Sequence, residues 1–355
     1  MAAQARRRTL RVAITSGDPN GIGPEVALKA AARALRGNGG QKPSIVLVGP
    51  RAIWENAMSV CGWSGAEPPE VEALATAGAD PQPLPLPPLC TWDPAMAPVP
   101  RIRPGRLAAD AAKSAYASIV AATSAALNGF VDAMVTAPIN KEAFHLAGIQ
   151  EPGHTELLAK LTHTHRYAMM LFGKKIRVVL ATRHLPISKV PRALTAEAIR
   201  EATTLLAEAL PWMGFRHPKI GICALNPHAG DGGAIGTEEM TLIAPTIEAL
   251  KKEVPRGVTL EGPIPADAIF YRHGKGDFQA VVAMYHDQGL GPLKMASFDD
   301  GVNLTLGLPI IRTSPDHGTA FAIAGQGIAA EASTLSALRW ALKLAAKKNP
   351  WRQGP

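Results

Sequence analysis

Three histidines follow strand-like segments of the sequence, at positions where side chains can meet a ligand. His184 comes shortly after "IRVVLAT", whereas His228 follows "KIGICALNP" directly and His286 follows "AVVAMY". In open parallel sheets, ligands gather beyond the carboxyl ends of the strands, because loops and helix starts converge there. Three neutral imidazoles can hold zinc or another divalent metal and leave positions open for substrate and water. Asp231 or Asp287 could orient one of the rings, whereas any one of these histidines alone is more typical of an ordinary loop residue.

Two further stretches carry groups that can bind an anion. "EPGHTELLAKL" places His154 and Thr155 ahead of a helix, where free backbone N–H groups and the helix dipole could hold a phosphate. The later stretch that begins "LKMASFDDGVN" contains Lys294, Asn303 and Arg312, and arginine suits a forked contact with a carboxylate or phosphate. The alternatives are a helix cap for Thr155 and surface salt bridges for the two cations.

The glycine-rich segments do not match a standard nucleotide loop. "SGDPNGIGPEVALK" lacks the lysine and hydroxyl of a P-loop, and neither its glycines nor those of "NPHAGDGGAIGTEE" have the GxGxxG spacing. Tight turns and a helix start explain both segments equally well. A nicotinamide cofactor would therefore bind outside a standard Rossmann half.

The elements that must position these residues alternate between strands and helices. Seven strand-like runs are separated by alanine- and leucine-rich helical stretches, such as 110–127 and 195–210. This alternation predicts an α/β/α protein with a largely parallel sheet. The proline-rich stretch 66–106 is predicted to be an extended surface connection or an edge strand, because proline donates no backbone hydrogen bond.

Composition narrows the class of protein. The 355-residue chain is 47% hydrophobic and 19% charged, which suits one large domain or two smaller ones. Its formal net charge of +8 is scattered, with short clusters at "ARRRTLR" and "KLAAKKNPWR" that lack interleaved aromatics. This pattern argues against nucleic-acid binding and favours a small anionic substrate. With no long apolar run and no apolar segment before the first strand, we expect a cytoplasmic protein without a membrane span or secretory signal.

The three cysteines have no spacing that suggests a shared function. Cys61, Cys90 and Cys223 are far apart and lack CxxC spacing. This argues against a disulfide framework and against a thiolate metal site. We expect them to be reduced and structural.

Seven motifs together carry a family resemblance. The segments "GDPNGIGPE", "TAPINKEAF", "GHTELLA", "LNPHAGDGG", "GTEE", "MYHDQGL" and "GVNLTLGLPIIRTSPDHGTA", in this order, resemble the 4-hydroxythreonine-4-phosphate dehydrogenase family of vitamin B6 biosynthesis. The resemblance runs from about Val12 to Ala341. It implies a two-domain α/β/α fold like that of isocitrate and isopropylmalate dehydrogenases. We expect residues 1–130 with 297–355 to form the cofactor-side domain, and 131–296 to form the metal, substrate and dimerisation domain.

The resemblance also implies ligands for the candidate residues. A divalent metal (zinc, magnesium or cobalt) would be held by the three histidines, and NAD or NADP would be the oxidant. The active site would lie at the interface of a homodimer. The residues implied to contact a small, anionic, phosphorylated substrate are His154, Thr155, Lys294, Asn303 and Arg312.

A later segment is similar to the adenine-binding loop of the wider β-decarboxylating dehydrogenase family. In "DHGTAFAIAGQGIA", the resemblance makes His317, Gly318 and Ala320 the cofactor-binding candidates. The pattern departs from the wider family at Phe321 and Ala322, where proline and aspartate are usual. Other departures occur at Asn20, Ala268 and Gly291.

The resemblance implies oxidation and decarboxylation of 4-phosphooxy-L-threonine to 3-amino-2-oxopropyl phosphate, which serves pyridoxine 5'-phosphate synthesis. Lys294 is the candidate proton carrier or carboxylate partner, and Asp267 and Asp287 are the alternatives. Three other functions stay open. They are a related dehydrogenase acting on a four-carbon sugar-acid 4-phosphate or a dihydrodiol dicarboxylate, a non-redox phosphate acyltransferase, and a metal-bound regulatory protein.

Overall fold

The chain folds into two compact α/β units. The computed structural model describes residues 8–36, 42–71, 86–94 and 97–352. Unit 1 comprises Met1–His163 and Pro309–Asn349, and unit 2 comprises Thr164–Leu308 and Pro350–Pro355. Unit 1 is therefore built from two separate parts of the chain.

The elements alternate as the sequence predicts. The strands are β1 (Arg11–Thr15), β2 (Ser44–Val48), β3 (Leu89–Trp92), β4 (Ala133–Thr136), β5 (Ala168–Phe172), β6 (Arg177–Leu180), β7 (Lys219–Cys223), β8 (Thr259–Ile264), β9 (Ala280–Ala283), β10 (Val302–Leu306) and β11 (Arg312–Pro315). The helices are α1 (Gly23–Leu35), α2 (Arg51–Val60), α3 (Ala109–Leu127), α4 (Lys141–Leu146), α5 (His154–Leu161), α6 (Val190–Ala193), α7 (Ala196–Met213), α8 (Ala244–Leu250), α9 (Ala266–Lys275), α10 (His286–Ser297) and α11 (Ala332–Ala345). The predicted α/β class is confirmed.

In unit 1 the strands lie in the order β3-β2-β1-β4-β11, and each pairs in parallel with its neighbour. All residues of β1, β2, β4 and β11 are buried. Continuous apolar runs such as "SIVLV" suit this position, because helices cover both faces of a parallel sheet. The chain leaves β1, β4 and β11 at one edge, which we call the carboxyl edge of unit 1.

In unit 2 the order is β10-β5-β6-β9-β7-β8. Strand β5 runs antiparallel to β10 and β6, whereas β6, β9, β7 and β8 are mutually parallel neighbours. The three strands that precede the candidate metal-binding histidines, β6, β7 and β9, therefore end at the same edge. This confirms the arrangement of strands on which the metal hypothesis depends.

The proline-rich connection contributes an edge strand, as predicted. Strand β3 lies at the end of the unit 1 order, where it pairs with β2, and it lies inside this connection. Residues 72–85 and 95–96 of the connection, and most of the N-terminal basic cluster, lie outside the described residues. Strands β8, β10 and β11 were not predicted. The last two lie in the stretch, beginning "LKMASFDDGVN", that contains the candidate residues Asn303 and Arg312.

The unit boundaries lie further along the chain than the sequence predicts. The predicted boundaries follow residues 130 and 296, whereas the compact units divide after His163 and Leu308. Helices α4 and α5 pack against α3, with the Tyr116 and Phe144 rings edge to face at 6.5 Å. Strand β10 pairs with β5, so it belongs to unit 2. The roles assigned to the two domains stay predictions.

The cysteines are free thiols within the described chain, as expected. Burial raises the pKa of the Cys61 thiol to about 11 and that of Cys90 to about 12. Such thiols carry almost no thiolate at neutral pH and are unreactive. Across the residues that the structure describes, no helix has the length and apolar character needed to cross a membrane.

Candidate active site

Strand pairing brings two of the three candidate metal ligands together. His184 follows β6 and His286 begins α10 directly after β9, and the ring centroids lie 5.6 Å apart. The Nδ1 atom of His286 lies 2.7 Å from Oδ1 of Asp287. A carboxylate on one ring nitrogen orients an imidazole and leaves the other nitrogen to face a ligand. Both rings line a cavity of about 230 Å³ together with Tyr285 and Ile187.

The third candidate, His228, does not join His184 and His286 in one group of metal ligands within a single chain. Within residues 8–36, 42–71, 86–94 and 97–352, no three histidine, cysteine or acidic side chains lie close enough to share an ion. The His184 and His286 pair fits part of the ligand set of a first-row divalent metal, since two imidazoles with an orienting carboxylate are common there. The structure thus brings together two of the three predicted ligands.

The backbone that presents His228 has an unusual conformation. Residues 228–232 all have φ between 45° and 80°, which is the left-handed region. Only glycine adopts this region readily, and each other residue there costs roughly 1–2 kcal/mol. We call Pro227–Gly233 the His228 loop. Asp231, the alternative orienting carboxylate, is exposed within it.

A buried arginine forms the centre of a candidate anion site in unit 1. Arg312 is 2% exposed, and its Nε and Nη2 donate to Oγ1 of Thr136 at 3.0 and 2.7 Å. Burial lowers the pKa of Arg312 to about 9, and the nearby Glu156 carboxylate opposes this shift. Arg312 is therefore still a cation at neutral pH.

His154 lies within the electrostatic influence of Arg312. It begins α5, and its Nε2 is buried without a hydrogen-bond partner among the described residues. Burial, and then the Arg312 charge, holds the pKa of His154 well below its ordinary 6.5, so the ring is neutral. A buried polar atom without a partner costs free energy unless a ligand satisfies it. Arg312 and His154 therefore suit an anionic ligand that can also form a hydrogen bond with Nε2 of His154.

The alternative roles weighed for Thr155 and Arg312 do not match the structure. Helix α5 is capped by Gly153, so Thr155 lies inside the first turn and is buried. Arg312 is deep in the core and not in a surface salt bridge. The Lys294 ammonium, on α10, lies 5.4 Å from the centre of the ring of Phe298, which follows the last residue of α10.

The remaining candidates in unit 2 have different environments. Asn303 lies in β10 opposite Leu171, and its Oδ1 is buried without a partner within the described part of the chain. Asp267 lies in the first turn of α9 and is exposed. Asp287 contacts the His286 ring. Of the proposed bases, Asp287 is thus better placed to orient His286 than to take a proton.

The predicted cofactor loop, residues 316–329, is fixed to the start of α1. The Ile22 N–H donates to the Thr319 carbonyl at 2.9 Å. Lys29 donates to the carbonyls of Gly327 and Ala329 at 2.7 and 2.9 Å, and Glu25 accepts from the Ala329 N–H at 2.8 Å. The "GDPNGIGPE" motif therefore supports this loop.

The three predicted cofactor contacts lie at the start of this loop. His317 Nδ1 lies 3.0 Å from the Gly318 carbonyl oxygen. A Cβ added to Gly318 would meet no atom of the described chain within 4 Å. Ala320 has a left-handed φ of 43°. Gly318 therefore faces open space, as a position approached by a cofactor would.

Sequence analysis missed Asp18, which follows β1 at the carboxyl edge of unit 1. Asp18 is 1% exposed, and its Oδ1 accepts from the Asn20 N–H at 2.9 Å. Its Oδ2 is buried and has no partner among the residues described. Burial raises the pKa of Asp18 to about 6. The strand-end criterion that selects the histidines would also have selected this aspartate.

The atypical Asn20 has a structural role. Its Oδ1 accepts from the Arg103 N–H at 2.6 Å, and its Nδ2 donates to the Arg106 carbonyl at 2.9 Å. Gly105, between these residues, approaches the Phe321 carbonyl so closely that a Cβ would lie 2.9 Å from its oxygen. Asn20 therefore fixes a turn that packs on the predicted cofactor loop.

Known proteins resemble this chain over nearly its whole length. Residues 41–341 match the family described as pyridoxal phosphate biosynthetic protein PdxA. The chain is 42% identical over 342 residues to a 4-hydroxythreonine-4-phosphate dehydrogenase of Desulfosudis oleivorans, covering 94% of this chain and 96% of the relative. It is 39% identical over 335 residues to a D-threonate 4-phosphate dehydrogenase of Pectobacterium atrosepticum, covering 94% and 99%.

A solved structure agrees with these matches. The crystal structure of a 4-hydroxythreonine-4-phosphate dehydrogenase from Klebsiella pneumoniae has a TM-score of 0.78 and 37% identity, covering 95% of this chain and 100% of that one. The resemblance found in the motifs is thereby confirmed. The chain belongs to the pyridoxal phosphate biosynthetic protein PdxA family, and it is an oxidoreductase of the dehydrogenase type.

Proposed function

We propose that the protein is a metal-dependent, NAD- or NADP-linked dehydrogenase that oxidises and decarboxylates 4-phosphooxy-L-threonine. The product would be 3-amino-2-oxopropyl phosphate, for pyridoxine 5'-phosphate synthesis in the cytoplasm. The observation that carries the proposal is the buried Arg312 beside the neutral His154 at the start of α5. The 4-hydroxythreonine-4-phosphate dehydrogenase of Desulfosudis oleivorans is named for a phosphorylated substrate.

The anion site has a physical reason to bind phosphate or carboxylate. Desolvating a guanidinium is costly, and an anion that reaches it offsets this cost with charge-assisted hydrogen bonds. Oγ1 of Thr136 accepts two hydrogen bonds from Arg312 and so holds the arginine side chain in place. Thr155 and the first turn of α5 add backbone N–H groups of the kind that bind phosphate. We assign the phosphate or carboxylate of the substrate to this group.

The histidine pair of unit 2 would hold the divalent metal, with His228 as the third ligand. A bound divalent ion would polarise the substrate hydroxyl, and NAD or NADP would accept the hydride. Asp287 would keep the His286 ring oriented, and Lys294 would carry the proton. Oxidation converts the hydroxyl-bearing carbon to a ketone, releasing one proton and one hydride. The resulting β-keto acid loses carbon dioxide and gains a proton on carbon.

Exposed apolar side chains in unit 2 support a homodimer. Near the histidine pair, Leu185 is 44% exposed and Ile187 is 68% exposed. On α10 and just after it, Met295 and Phe298 are 94% and 73% exposed. Apolar surface of this extent is typical of an interaction site. We propose that a second copy of the chain covers it and that the active site lies at that interface.

A second substrate deserves equal testing, because relatives of both names are similarly close to this chain. D-threonate 4-phosphate shares the carboxylate, the neighbouring hydroxyl and the phosphate with 4-phosphooxy-L-threonine. It differs in carrying a hydroxyl in place of the amine next to the carboxylate. Groups that bind phosphate and carboxylate do not separate these two compounds.

The deciding experiment follows NADH or NADPH absorbance with each substrate. Chelator-treated protein would be assayed alone and after addition of Zn²⁺, Mg²⁺ or Co²⁺. We expect reduction of the cofactor with one of the two substrates, restored only by metal, together with release of carbon dioxide. Turnover by the chelated protein would contradict the metal requirement. Acyl phosphate formation from an acyl thioester without cofactor reduction would favour the acyltransferase function instead.

A further inference from the structure

Glu239 is buried against the residues that lead into the His228 loop. It is 3% exposed, and its Oε1 accepts from the Leu225 and Asn226 N–H groups at 2.8 and 2.7 Å. Its Oε2 accepts from Nδ2 of Asn226 at 3.0 Å. One carboxylate therefore satisfies two backbone donors and one side-chain donor between β7 and the His228 loop.

The same carboxylate also packs against the centre of the loop. Gly230 has a φ of 80°, and a Cβ built there would lie 2.7 Å from Glu239 Oε2 and 2.6 Å from the Gly236 carbonyl oxygen. The loop is thus in close contact with Glu239 at its middle as well as at its entrance. Only glycine fits at position 230.

The backbone that carries Glu239 is itself unusual. Glu239–Ile243 forms a π-helical turn immediately before α8. Such turns are rare and frequent at functional sites. A π-helical turn changes which side chains share a helix face, and here it begins at the residue that contacts the loop.

We infer that Glu239 is a positioning residue that holds the His228 loop in its left-handed conformation and so presents the His228 imidazole to a divalent metal. This inference rests on the proposed function, in which His228 is a ligand. A run of left-handed residues persists only where the surrounding structure determines it. Partners that orient a metal ligand typically contribute 10- to 100-fold in metal affinity.

The test uses chelator-treated full-length protein and Co²⁺, whose visible absorption reports its ligands. Wild type would be compared with Glu239→Ala, Glu239→Gln, Glu238→Gln and His228→Ala. Glu238 is the matched control. It accepts from the same Asn226 Nδ2 at 2.8 Å, but this one side-chain hydrogen bond replaces the three that Glu239 accepts. Gly230→Ala disrupts the same contact from the loop side. Hydrogen exchange of residues 224–236 in the metal-free proteins provides an independent readout of the loop.

We expect Glu239→Ala and Gly230→Ala to bind Co²⁺ about 10- to 100-fold more weakly and to exchange faster in the loop. Glu239→Gln keeps an oxygen for the backbone donors and should recover most of the affinity, and Glu238→Gln should resemble wild type. Normal Co²⁺ affinity in Glu239→Ala and Gly230→Ala, when His228→Ala has lost it, would overturn the inference. If His228→Ala binds Co²⁺ as tightly as wild type, the ligand set of the proposed function fails instead, and this inference fails with it.

Discussion

The proposed anion site depends on a cation whose charge is sensitive to pH. Arg312 has a pKa of about 9 because it is buried, so it loses its proton in a range where an exposed arginine stays charged. Binding of inorganic phosphate should therefore weaken as the pH rises through about 9. Arg312→Lys should weaken it by about 10- to 100-fold at pH 7.5, since the forked contact is lost. Calorimetric titration at pH 7.5 and 9.5 would measure both effects, and equal affinities throughout would remove Arg312 from the site.

Asp18 is predicted to lower the free energy of unfolding at pH values above its folded-state pKa. Its pKa of about 6 in the folded state lies above the ordinary 3.8, so the folded state resists ionisation. This group therefore favours folding at low pH, and that contribution is lost as the pH rises through about 6. At pH 8 Asp18→Asn should raise the free energy of unfolding by roughly 2–3 kcal/mol.

Urea denaturation at pH 8 and pH 4 would test the Asp18 prediction. The gain should shrink towards pH 4, where the folded wild type binds the proton fully and the unfolded state, with the ordinary pKa of 3.8, binds it in part. An Asp18→Asn variant that is less stable than wild type at pH 8 would contradict it. A residue at the carboxyl edge of a sheet that lowers the free energy of unfolding in this way is typical of a functional site.

At the scale of elements, the predicted cofactor loop offers a clean substitution. Gly318 has open space around its Cβ position within the described structure, so Gly318→Val should fold normally. Because the new side chain would occupy the space next to the backbone, NAD affinity should fall about tenfold or more while metal content is unchanged. Gly274→Val is the control, since a Cβ at Gly274 in α9 likewise meets nothing nearby among the described residues. Calorimetry showing equal NAD affinity in both variants would place the cofactor elsewhere.

The sequence predicts those parts of the fold that follow local rules. Apolar runs such as "SIVLV" predict buried strands, and the residue after each such run lies at the carboxyl edge, which is why His184 and His286 were found. Strand β11 was missed because "RTSP" is polar and short, and β10 was missed because "VNLTL" alternates apolar and polar residues and so lacks the continuous apolar run used to find the other strands. The burial of Arg312 was missed for the same reason.

The left-handed His228 loop could not be predicted from local propensity. His228 and Ala229 favour right-handed backbone, and the opposite conformation accompanies the contacts that Glu239 makes with Leu225, Asn226 and Gly230. Propensity describes a residue alone, whereas this conformation depends on a tertiary contact. The position of His228 after a strand-like run predicted that it lies at a strand end. It did not predict that His228 would fail to join the other two histidines in one ligand set.

At the scale of the whole molecule, buried neutral histidines should make the protein acid-sensitive. His273 is 3% exposed, accepts from the Arg177 N–H at 2.9 Å and contacts the Phe278 carbonyl at 2.7 Å. Burial is the main cause of its lowered pKa, and the Phe278 carbonyl opposes it. The folded state therefore binds fewer protons than the unfolded state just below pH 6.5, and stability falls as the pH drops through that value.

The stability of unit 2 between pH 7.5 and 6 would measure this effect. We expect a loss approaching about 1.4 kcal/mol per pH unit for each such histidine below pH 6.5. His273→Gln should flatten the dependence, and His217→Gln, at an exposed position, is the control substitution. Identical slopes in wild type and His273→Gln would contradict the prediction. The window stops at pH 6 because Asp18 begins to stabilise the protein below it.

The order in which the chain leaves the ribosome has a consequence for the two units. All strands of unit 2 lie between residues 164 and 308, so that sheet can close as soon as this continuous stretch has emerged. Unit 1 begins earlier but needs β11, which starts at Arg312, to cover the open side of β4. The apolar edge of β4 in nascent unit 1 therefore stays exposed while about half of the chain is still being synthesised. Unpaired edges of this kind are prone to aggregation, so a slow or interrupted synthesis endangers the first-made unit more than the second.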